Sequence, residues 1–320
     1  MERRLDGPPH GRALKTWAIR AGQLALTALV TWFIVSRVGL GLEELGSLDA
    51  SAWRPRALPL LASAIVLALG YFLSAGIWAR IVEDLGGPGL PARVSVPLFM
   101  VANLGRYVPG KVWQIAGLAA LARRHGVPVT VATGAAVVGQ GVALVAASAI
   151  GSLALFASPD PYPFWGAVTV GVIVAGLALA SVPAVYGRVL GAWFRLARAE
   201  RPPLLTPTRT SLWLGLYLAN WAVYAGAFVL LAASFDADGP VLAVGSAFAA
   251  AYVLGYVMIF APAGLGPREG FLIVFLTPHV GAGAAAMIAV AARLWTTGVE
   301  VIPAAAFWLF GGITGGPHEG

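Results

Sequence analysis

Two charged residues flank a backbone break in an otherwise apolar part of the sequence. Residues 103–117 read NLGRYVPGKVWQIAG, so Arg106 and Lys111 lie on either side of the Pro109-Gly110 step. Proline followed by glycine interrupts a helix, and a helix that begins at Gly110 starts with unpaired N–H groups at a positive dipole end. Such a helix terminus binds anions. The stretch therefore predicts an anion site, with Arg106 and Lys111 adding full charges beside it.

The same stretch resembles the opening of a nucleotide-binding P-loop. Gly105 to Lys111, GRYVPGK, fits the pattern G-x-x-x-x-G-K. A P-loop also needs a serine or threonine for magnesium and a preceding β-strand. Val112 stands at the magnesium position, and the surroundings are apolar. The sequence therefore argues against nucleotide hydrolysis, and a lipid phosphate is the anion nearest to hand in a membrane.

A second group of ionisable residues lies in the last third of the chain. The segment 261–270, APAGLGPREG, carries Arg268 and Glu269 after a run of prolines and glycines, and RLWTTGVEV carries Arg293 and Glu300. A charged side chain at the centre of a membrane helix costs about 3 kcal/mol, so each needs a partner. Because Arg293 and Glu300 lie two turns apart on one helical face, we expect each to pair with a residue of a broken segment. Such pairs either hold the protein together or bind and move a charged headgroup.

Composition places these residues in a membrane protein. Of the 320 residues, 59% are hydrophobic and 11% are charged, against roughly 25% charged residues in soluble domains. A membrane helix needs about 20 apolar residues. The windows that meet this length are 17–36, 57–79, 129–156, 164–182, 211–235, 240–261 and 284–310.

Several classes of site are excluded or disfavoured by what the sequence lacks. The chain has no cysteine, which excludes disulfides, thiolate nucleophiles and cysteine-bound metals. Its four histidines are scattered without metal-binding spacing, so we predict no metal and no cofactor. The net charge of +7 lies in loops and not on a soluble basic face, so we predict no nucleic-acid partner.

Basic loops indicate how the chain crosses the membrane, because cytoplasmic loops collect arginine and lysine. The N-terminus is basic and is predicted to be cytoplasmic. The first helix leaves the cytoplasm and the second returns, so 80–93 should lie on the cytoplasmic side. Arg123-Arg124 are basic and should share that side, although the apolar segment 94–121 lies between the two. This segment must then enter and leave the membrane by one face. It is predicted to be a re-entrant hairpin with its tip at 107–110.

A second break predicts an internal repeat. The apolar run 241–278 is interrupted at 261–270 and is predicted to form a second hairpin, although 240–261 alone is long enough to cross. The halves 17–156 and 164–312 then each read helix, helix, broken hairpin, helix. The predicted fold is all-α: a polytopic helical membrane protein of six to eight segments, with two re-entrant broken hairpins in inverted repeats. Broken helices at matching positions indicate a transporter site near the middle of the bilayer.

The chain is predicted to form one membrane domain over 17–312, with tails at 1–16 and 313–320. The first helix is expected to be uncleaved, because its polar leader is long and no small-residue cleavage site follows. Residues 185–201 place an apolar helical face beside several arginines. This pattern fits an interfacial helix and an ordinary positively charged loop equally well.

Three motifs resemble those of one membrane-protein family. GRYVPGKVW, PAGLGPREG and RLWTTGVE occur in this order and are similar to the lysylphosphatidylglycerol synthase transmembrane family, the flippase part of bacterial multiple-peptide-resistance proteins. The resemblance implies an eight-segment domain in a bacterial plasma membrane that moves a phospholipid or related lipid between leaflets. The family elements fall on Arg106, Tyr107, Pro109, Gly110 and Lys111, and on Pro262, Gly264, Gly266 and Glu269. Ala263 stands where glycine is expected, and Pro267 stiffens the second element.

The predicted site combines these elements with their hydrogen-bonding neighbours. The predicted substrate-binding residues are Arg106, Tyr107, Gly110, Lys111, Gln114, Arg268, Glu269, Arg293 and Glu300, and the predicted helix breaks are Pro109, Gly110, Pro262, Gly264, Gly266 and Pro267. Asn103, Gln140, Asn220 and Tyr224 can hydrogen-bond the same ligand, although each alone is more often a contact between helices.

The predicted function is that of a lipid flippase that holds an anionic or charged headgroup at half-helix N-termini with Lys111 and Arg106. The alternatives are a membrane-embedded glycosyl- or aminoacyl-type transferase acting on a lipid-linked substrate, and a non-catalytic partner of a lipid-synthesis complex. Bifunctional family members carry a cytosolic aminoacyl-transferase domain after the membrane part, whereas few polar residues follow Gly312 here. This chain is therefore not expected to make a lysyl-lipid by itself. A transporter is expected more than an enzyme, because the cytoplasmic loops supply few acidic residues for a transferase site. The expected partners are membrane lipids, with a separate lipid-synthesis enzyme and a homo-oligomer left open.

Overall fold

The computed structural model describes residues 54–108, 112–156, 183–196, 205–237, 239–258 and 266–310, and this part of the chain is helical. Its helices are α1 (Ala57–Asp84), α2 (Ala92–Asn103), α3 (Trp113–Arg123), α4 (Val129–Phe156), α5 (Pro183–Leu196), α6 (Pro207–Ser234), α7 (Val241–Val257), α8 (Pro267–Val280) and α9 (Ala282–Leu309). A turn of 3₁₀ helix, Leu104–Tyr107, follows α2 directly. No strand occurs within these described ranges.

Four of these helices, α1, α4, α6 and α9, are long and apolar enough to cross a membrane. Each contains 28 residues and so rises about 42 Å, against about 30 Å for the hydrocarbon core. Large apolar side chains are exposed along their outer faces, such as Leu58, Leu61 and Ile65 on α1 and Leu294 and Ile302 on α9. An apolar exterior of this kind suits lipid and not water. The predicted polytopic helical membrane fold is confirmed.

The two broken segments form helical hairpins. In the first, α2 and α3 contain 12 and 11 residues and rise only about 18 and 17 Å. They pack against each other, with Gly105 beside Gln114 and Gly117 beside Ala102. In the second hairpin, Gly255 near the end of α7 meets Arg268 at the start of α8. The two arms are therefore antiparallel in both cases.

The helix that begins the second hairpin is shorter than the apolar window 240–261. α7 ends at Val257 after 17 residues, a rise of about 26 Å, and α8 runs back along it until Val280 lies beside Gly239. α7 is therefore the first arm of a hairpin. Entry and exit by the same face of the membrane stay a prediction for both hairpins.

The inverted repeat is visible in the helix order and in the helix directions. Long helix, hairpin, long helix occurs twice, as α1 to α4 and as α6 to α9. The corresponding helices α1 and α6 pack side by side in opposite directions. Arg56, before α1, donates its backbone N–H to Ser234 at the end of α6 over 2.7 Å. At the other end, Asp84 of α1 accepts a 2.8 Å bond from the indole of Trp213 near the start of α6.

The two halves are also interlocked through their hairpins. α2 packs against α9, and the corresponding helix α7 packs against α4. The first arm of each hairpin therefore contacts the last long helix of the opposite half. This exchange brings the broken segments of both halves to one central region.

Some sequence predictions fall on other parts of the chain. The first predicted helix, the window 164–182 and the tip residues Pro109, Gly110, Lys111, Pro262 and Gly264 lie outside the described residues. The predicted amphipathic segment does form a helix, α5. Its residues Leu190 and Phe194 are buried while Leu196 is exposed, so the helix has one covered face. An interfacial position for α5 stays a prediction.

Candidate functional site

A buried carboxylate on α9 is the centre of the site. The side chain of Glu300 is 2% exposed and accepts hydrogen bonds from three side chains that belong to two other elements. Its Oε1 accepts from the hydroxyl of Tyr71 on α1 and, over 2.7 Å, from Nη1 of Arg106. Its Oε2 accepts from the hydroxyl of Tyr107 over 2.6 Å. A buried carboxylate is stable only when paired and hydrogen-bonded in this way.

The 3₁₀ turn at the end of α2 makes this arrangement possible. It places Arg106 and Tyr107 side by side, so both reach Glu300. Asn103, in the last turn of α2, accepts from Nη2 of Arg106 over 3.0 Å and from Nε2 of Gln114 over 2.5 Å. Because Gln114 belongs to α3, the Asn103 side chain ties both arms of the first hairpin to the guanidinium group.

A second ion pair connects α9 with the second hairpin. Glu269 lies in the first turn of α8, and its Oε2 accepts from the backbone N–H of Gly266 over 2.8 Å. Gly266 has a φ of 87°, which favours glycine at this helix start. The other oxygen of Glu269 lies 3.7 Å from Nη1 of Arg293. The pairing expected for Arg293 and Glu300 is therefore found, with one partner from each hairpin.

Arg268 differs from the other two arginines of the site. Its guanidinium carbon lies 4.8 Å from the ring centroid of Phe248 and 6.0 Å from that of Tyr252. Within the described part of the chain, no carboxylate lies in salt-bridge distance of Arg268. Aromatic rings stabilise a guanidinium group by cation–π interaction without neutralising its charge.

These side chains surround a cavity of about 90 Å³, which we call the arginine cavity. One water needs only about 10 to 15 Å³, so the space holds several waters or a small polar group. Its polar lining consists of Arg106, Tyr107, Gln114, Gln140, Tyr252, Tyr256, Arg268, Arg293, Thr296 and Glu300. Six of the predicted site residues therefore line one cavity. Glu269 contacts Arg293 but does not line the cavity.

A second cavity of about 90 Å³ adjoins the first, and we call it the amide cavity. The two share a wall formed by Arg106, Gln114, Gln140, Tyr252 and Arg268. The amide cavity extends toward α1 and α6, where its lining includes Tyr71, Ser74, Asn103, Asn220, Trp221 and Tyr224.

The charges of the site do not cancel among the described residues. Arg106 faces Glu300, and Arg293 faces Glu269. Arg268 remains as a third cation on the wall between the two cavities. The arrangement can therefore attract one anionic group, and the same residues contain no cluster of three His, Asp or Glu side chains that could hold a metal ion.

Comparison with known families decides the broader relationship. A family model described as the lysylphosphatidylglycerol synthase TM region matches residues 20–304. The chain belongs to this family. The match covers most of the sequence, including both hairpins and every residue that lines the two cavities. Comparison with curated proteins gives no match.

Membership of the lysylphosphatidylglycerol synthase transmembrane family connects the chain with membrane lipids. The residues that carry the family resemblance are those that meet in the structure: Arg106 and Tyr107 from one motif contact Glu300 from another. The sequence did not indicate Tyr71 or Tyr252 as site residues, because a tyrosine in an apolar helix was the only sign of either. Nothing in the spacing of either residue indicates which partner it contacts.

Proposed function

We propose that the protein is a lipid transporter that moves a lipid with an anionic headgroup between the two leaflets of its membrane. The observation that carries this proposal is Arg268, a cation without a carboxylate partner among the described residues, on the wall between two cavities. Interrupted helices from both repeats meet at these cavities, an arrangement typical of transporter substrate sites.

The three arginines have different roles in this proposal. Arg268 contacts the lipid phosphate directly. Arg106 is held by Glu300 and Asn103, so it keeps the first hairpin on α9 and contributes to the positive field of the cavity. Lys111, five residues further along the chain, supplies a second cation for the headgroup, as the motif predicts.

Transport requires that binding favour one arrangement of the hairpins over another. The Arg293–Glu269 contact of 3.7 Å is longer than the Arg106–Glu300 contact of 2.7 Å. A phosphate that enters beside Arg268 competes with Glu269 for Arg293, which lines the same cavity. Exchange of this ion pair frees the second hairpin to move relative to α9, while the first hairpin stays attached.

The proposed function includes a cellular location and lipid partners. We infer a location in the plasma membrane with a cytoplasmic N-terminus, because the N-terminal segment and Arg123-Arg124 are basic and cytoplasmic loops collect arginine and lysine. The acyl chains of the lipid remain in the bilayer beside the apolar outer faces of the helices. The partners are membrane lipids, with a separate enzyme supplying the lipid.

A transferase is the less favoured alternative. A general base must be free to take a proton from the reacting group. Glu300 accepts from three donors and Glu269 is shared between a backbone N–H and Arg293, so neither carboxylate is unengaged. Formation of a new lipid product by the purified protein would favour the transferase over the transporter.

Reconstitution tests the proposal directly. The protein is placed in vesicles with a trace of phosphatidylglycerol that is fluorescently labelled on an acyl chain, and an impermeant reductant is added outside. Transport appears as loss of fluorescence from the inner leaflet. We expect Arg268→Gln to slow this loss roughly ten-fold, the effect of removing a charged hydrogen-bond partner, and the exposed Arg124→Gln to leave it unchanged. Wild-type rates equal to those of protein-free vesicles would refute transport.

A further inference from the structure

Two buried amide side chains each leave one polar atom without a partner. Asn103 on α2 and Asn220 on α6 are both 1% exposed. Nδ2 of Asn103 and Oδ1 of Asn220 make no hydrogen bond. Buried polar atoms are nearly always paired, because leaving one unpaired costs free energy. Both residues also line the amide cavity, so one cavity wall contains an amide with an unpaired donor and an amide with an unpaired acceptor.

The neighbours of each amide fix its orientation. Oδ1 of Asn103 accepts from both Arg106 and Gln114, which leaves the NH₂ group of Asn103 as the free end. Nδ2 of Asn220 donates to the hydroxyl of Ser74 over 2.8 Å, and that hydroxyl lies 2.9 Å from the phenol of Tyr224. Because Ser74 is thereby engaged on both sides, the carbonyl oxygen of Asn220 is left for another donor.

Aromatic rings form much of the remaining wall. Trp221 lies 5.3 Å from Tyr224 and 4.8 Å from Tyr252 between ring centroids. Tyr71 lies 5.6 Å from Tyr224. No carboxylate lines this cavity among the described residues, and its charged lining consists of Arg106 and Arg268.

This combination selects among headgroups by chemistry. A hydroxyl group both donates and accepts, so it can satisfy the acceptor of Asn220 and the donor of Asn103. An ammonium group only donates, and Arg268, which has no carboxylate partner among the described residues, opposes its charge. An alkyl group would leave both amides unpaired. Flat aromatic surfaces beside amides suit the carbon skeleton of a polyol or a sugar.

We propose that the amide cavity is a subsite for the hydroxyl-bearing end of the lipid headgroup. The substrate class is a lipid phosphodiester with a polyol or sugar head, its phosphate at Arg268 and its hydroxyls at Asn103 and Asn220. Arg268 lies on the shared wall, which allows one headgroup to occupy both cavities. This inference rests on the proposed function and adds the identity of the head.

Matched lipids test the subsite separately from transport. Phosphatidylglycerol and phosphatidylmethanol carry the same charge, but only the first has hydroxyl groups. In the vesicle assay we expect the wild type to move phosphatidylglycerol roughly ten-fold faster, as expected for lost hydrogen bonds to buried amides. Asn220→Leu should reduce the ratio of the two rates to about one. Thr210→Val, a buried change on the same helix whose hydroxyl bonds only its own helix, should keep the preference.

Equal wild-type rates for the two lipids would overturn the subsite while leaving transport intact. If the wild type moves neither lipid, transport fails, and the ratio of the two lipids retained from an equimolar mixture, measured by native mass spectrometry, decides the subsite. Preferential retention of phosphatidylglycerol that Asn220→Leu removes supports it, and equal retention overturns it. Should Asn220→Leu not fold, Asn220→Ala removes the same acceptor without adding atoms.

Discussion

Arg106 and Glu300 form a buried ion pair of 2.7 Å although 194 residues separate them in the sequence. The pair joins the first hairpin to the last long helix of the opposite half. Glu300 is further held by Tyr71 and Tyr107. A single carboxylate thus connects α1, the first hairpin and α9, and its removal should affect stability as well as function.

A double-mutant cycle should measure this connection. Removing one member of a buried ion pair costs about 3 to 5 kcal/mol, because the remaining charge is buried without compensation. We therefore expect Glu300→Gln and Arg106→Gln each to lower the free energy of unfolding strongly, and the double variant to be less destabilised than their sum. Unfolding of the purified protein in mixed micelles provides the measurement.

An exposed ion pair on α1 supplies the control for this cycle. Arg80 and Glu83 lie 3.6 Å apart with side chains 49% and 55% exposed. Exposed pairs contribute about 0 to 1 kcal/mol, so Glu83→Gln should change stability little. Additive effects of Arg106→Gln and Glu300→Gln would contradict a coupled buried pair.

Gly105 should be intolerant of a larger side chain. A Cβ atom at this position would lie 2.6 Å from the backbone N of Gln114, in the other arm of the hairpin. We expect Gly105→Ala to destabilise the protein by about 1 to 3 kcal/mol, the range for overpacking. Gly117→Ala is the matched control, because its added Cβ would meet Ala102 at an ordinary 3.9 Å. Equal unfolding midpoints for both variants would show that the two arms can move apart at Gly105 without loss of stability.

Glu269→Gln should affect transport more than folding. The Glu269 side chain is 21% exposed and lies 3.7 Å from Arg293, so its ion pair contributes less stability than the buried pair at Glu300. In the proposed mechanism this pair must form again after the lipid leaves, so a neutral side chain should slow repeated transport several-fold. Comparison of vesicle rates with thermal stability separates the two effects. A variant that transports normally would remove Glu269 from the mechanism.

Lys111→Ala tests the prediction that came first from the sequence. The motif places Lys111 beside the Pro109-Gly110 break, where a cation would assist anion binding at a helix start. We expect the variant to fold normally and to transport an anionic lipid several-fold more slowly. Its rate should also depend less on salt, because one cation no longer contributes to the field. Lys15→Ala, in the basic N-terminal segment, is the control.

Much of the fold and part of the site were predictable from local sequence. The Pro-Gly break at 109–110 and the run at 261–270 correctly predicted that each segment divides into two antiparallel helices, because proline and glycine interrupt helices. Re-entry of the two hairpins stays a prediction. Arg293 and Glu300 lie seven residues apart on one helical face. The prediction that each pairs with a residue of a broken segment is confirmed. Charged residues in an apolar chain are conspicuous, and the energetic need for pairing limits where they can go.

The finer division of roles was not predictable, because it depends on contacts between residues far apart in the sequence. Arg106 is predicted to hold the headgroup, and the sequence does not reveal that Glu300 and Asn103 also engage it. Arg268 stands apart only because Phe248 and not a carboxylate lies beside it. Asn220 meets Ser74 across 146 residues, and an asparagine in an apolar helix does not reveal its neighbour.

The exchange of hairpins between the halves has a consequence for biosynthesis. α2 finds its neighbour α9 only at the far end of the chain, and a ribosome adding about 5 to 20 residues per second needs roughly 10 to 40 s to extend from Arg106 to Glu300. During that interval the guanidinium group of Arg106 lacks its carboxylate partner, Glu300. Assembly is therefore finished by the final helix, which closes the first half as it completes the second.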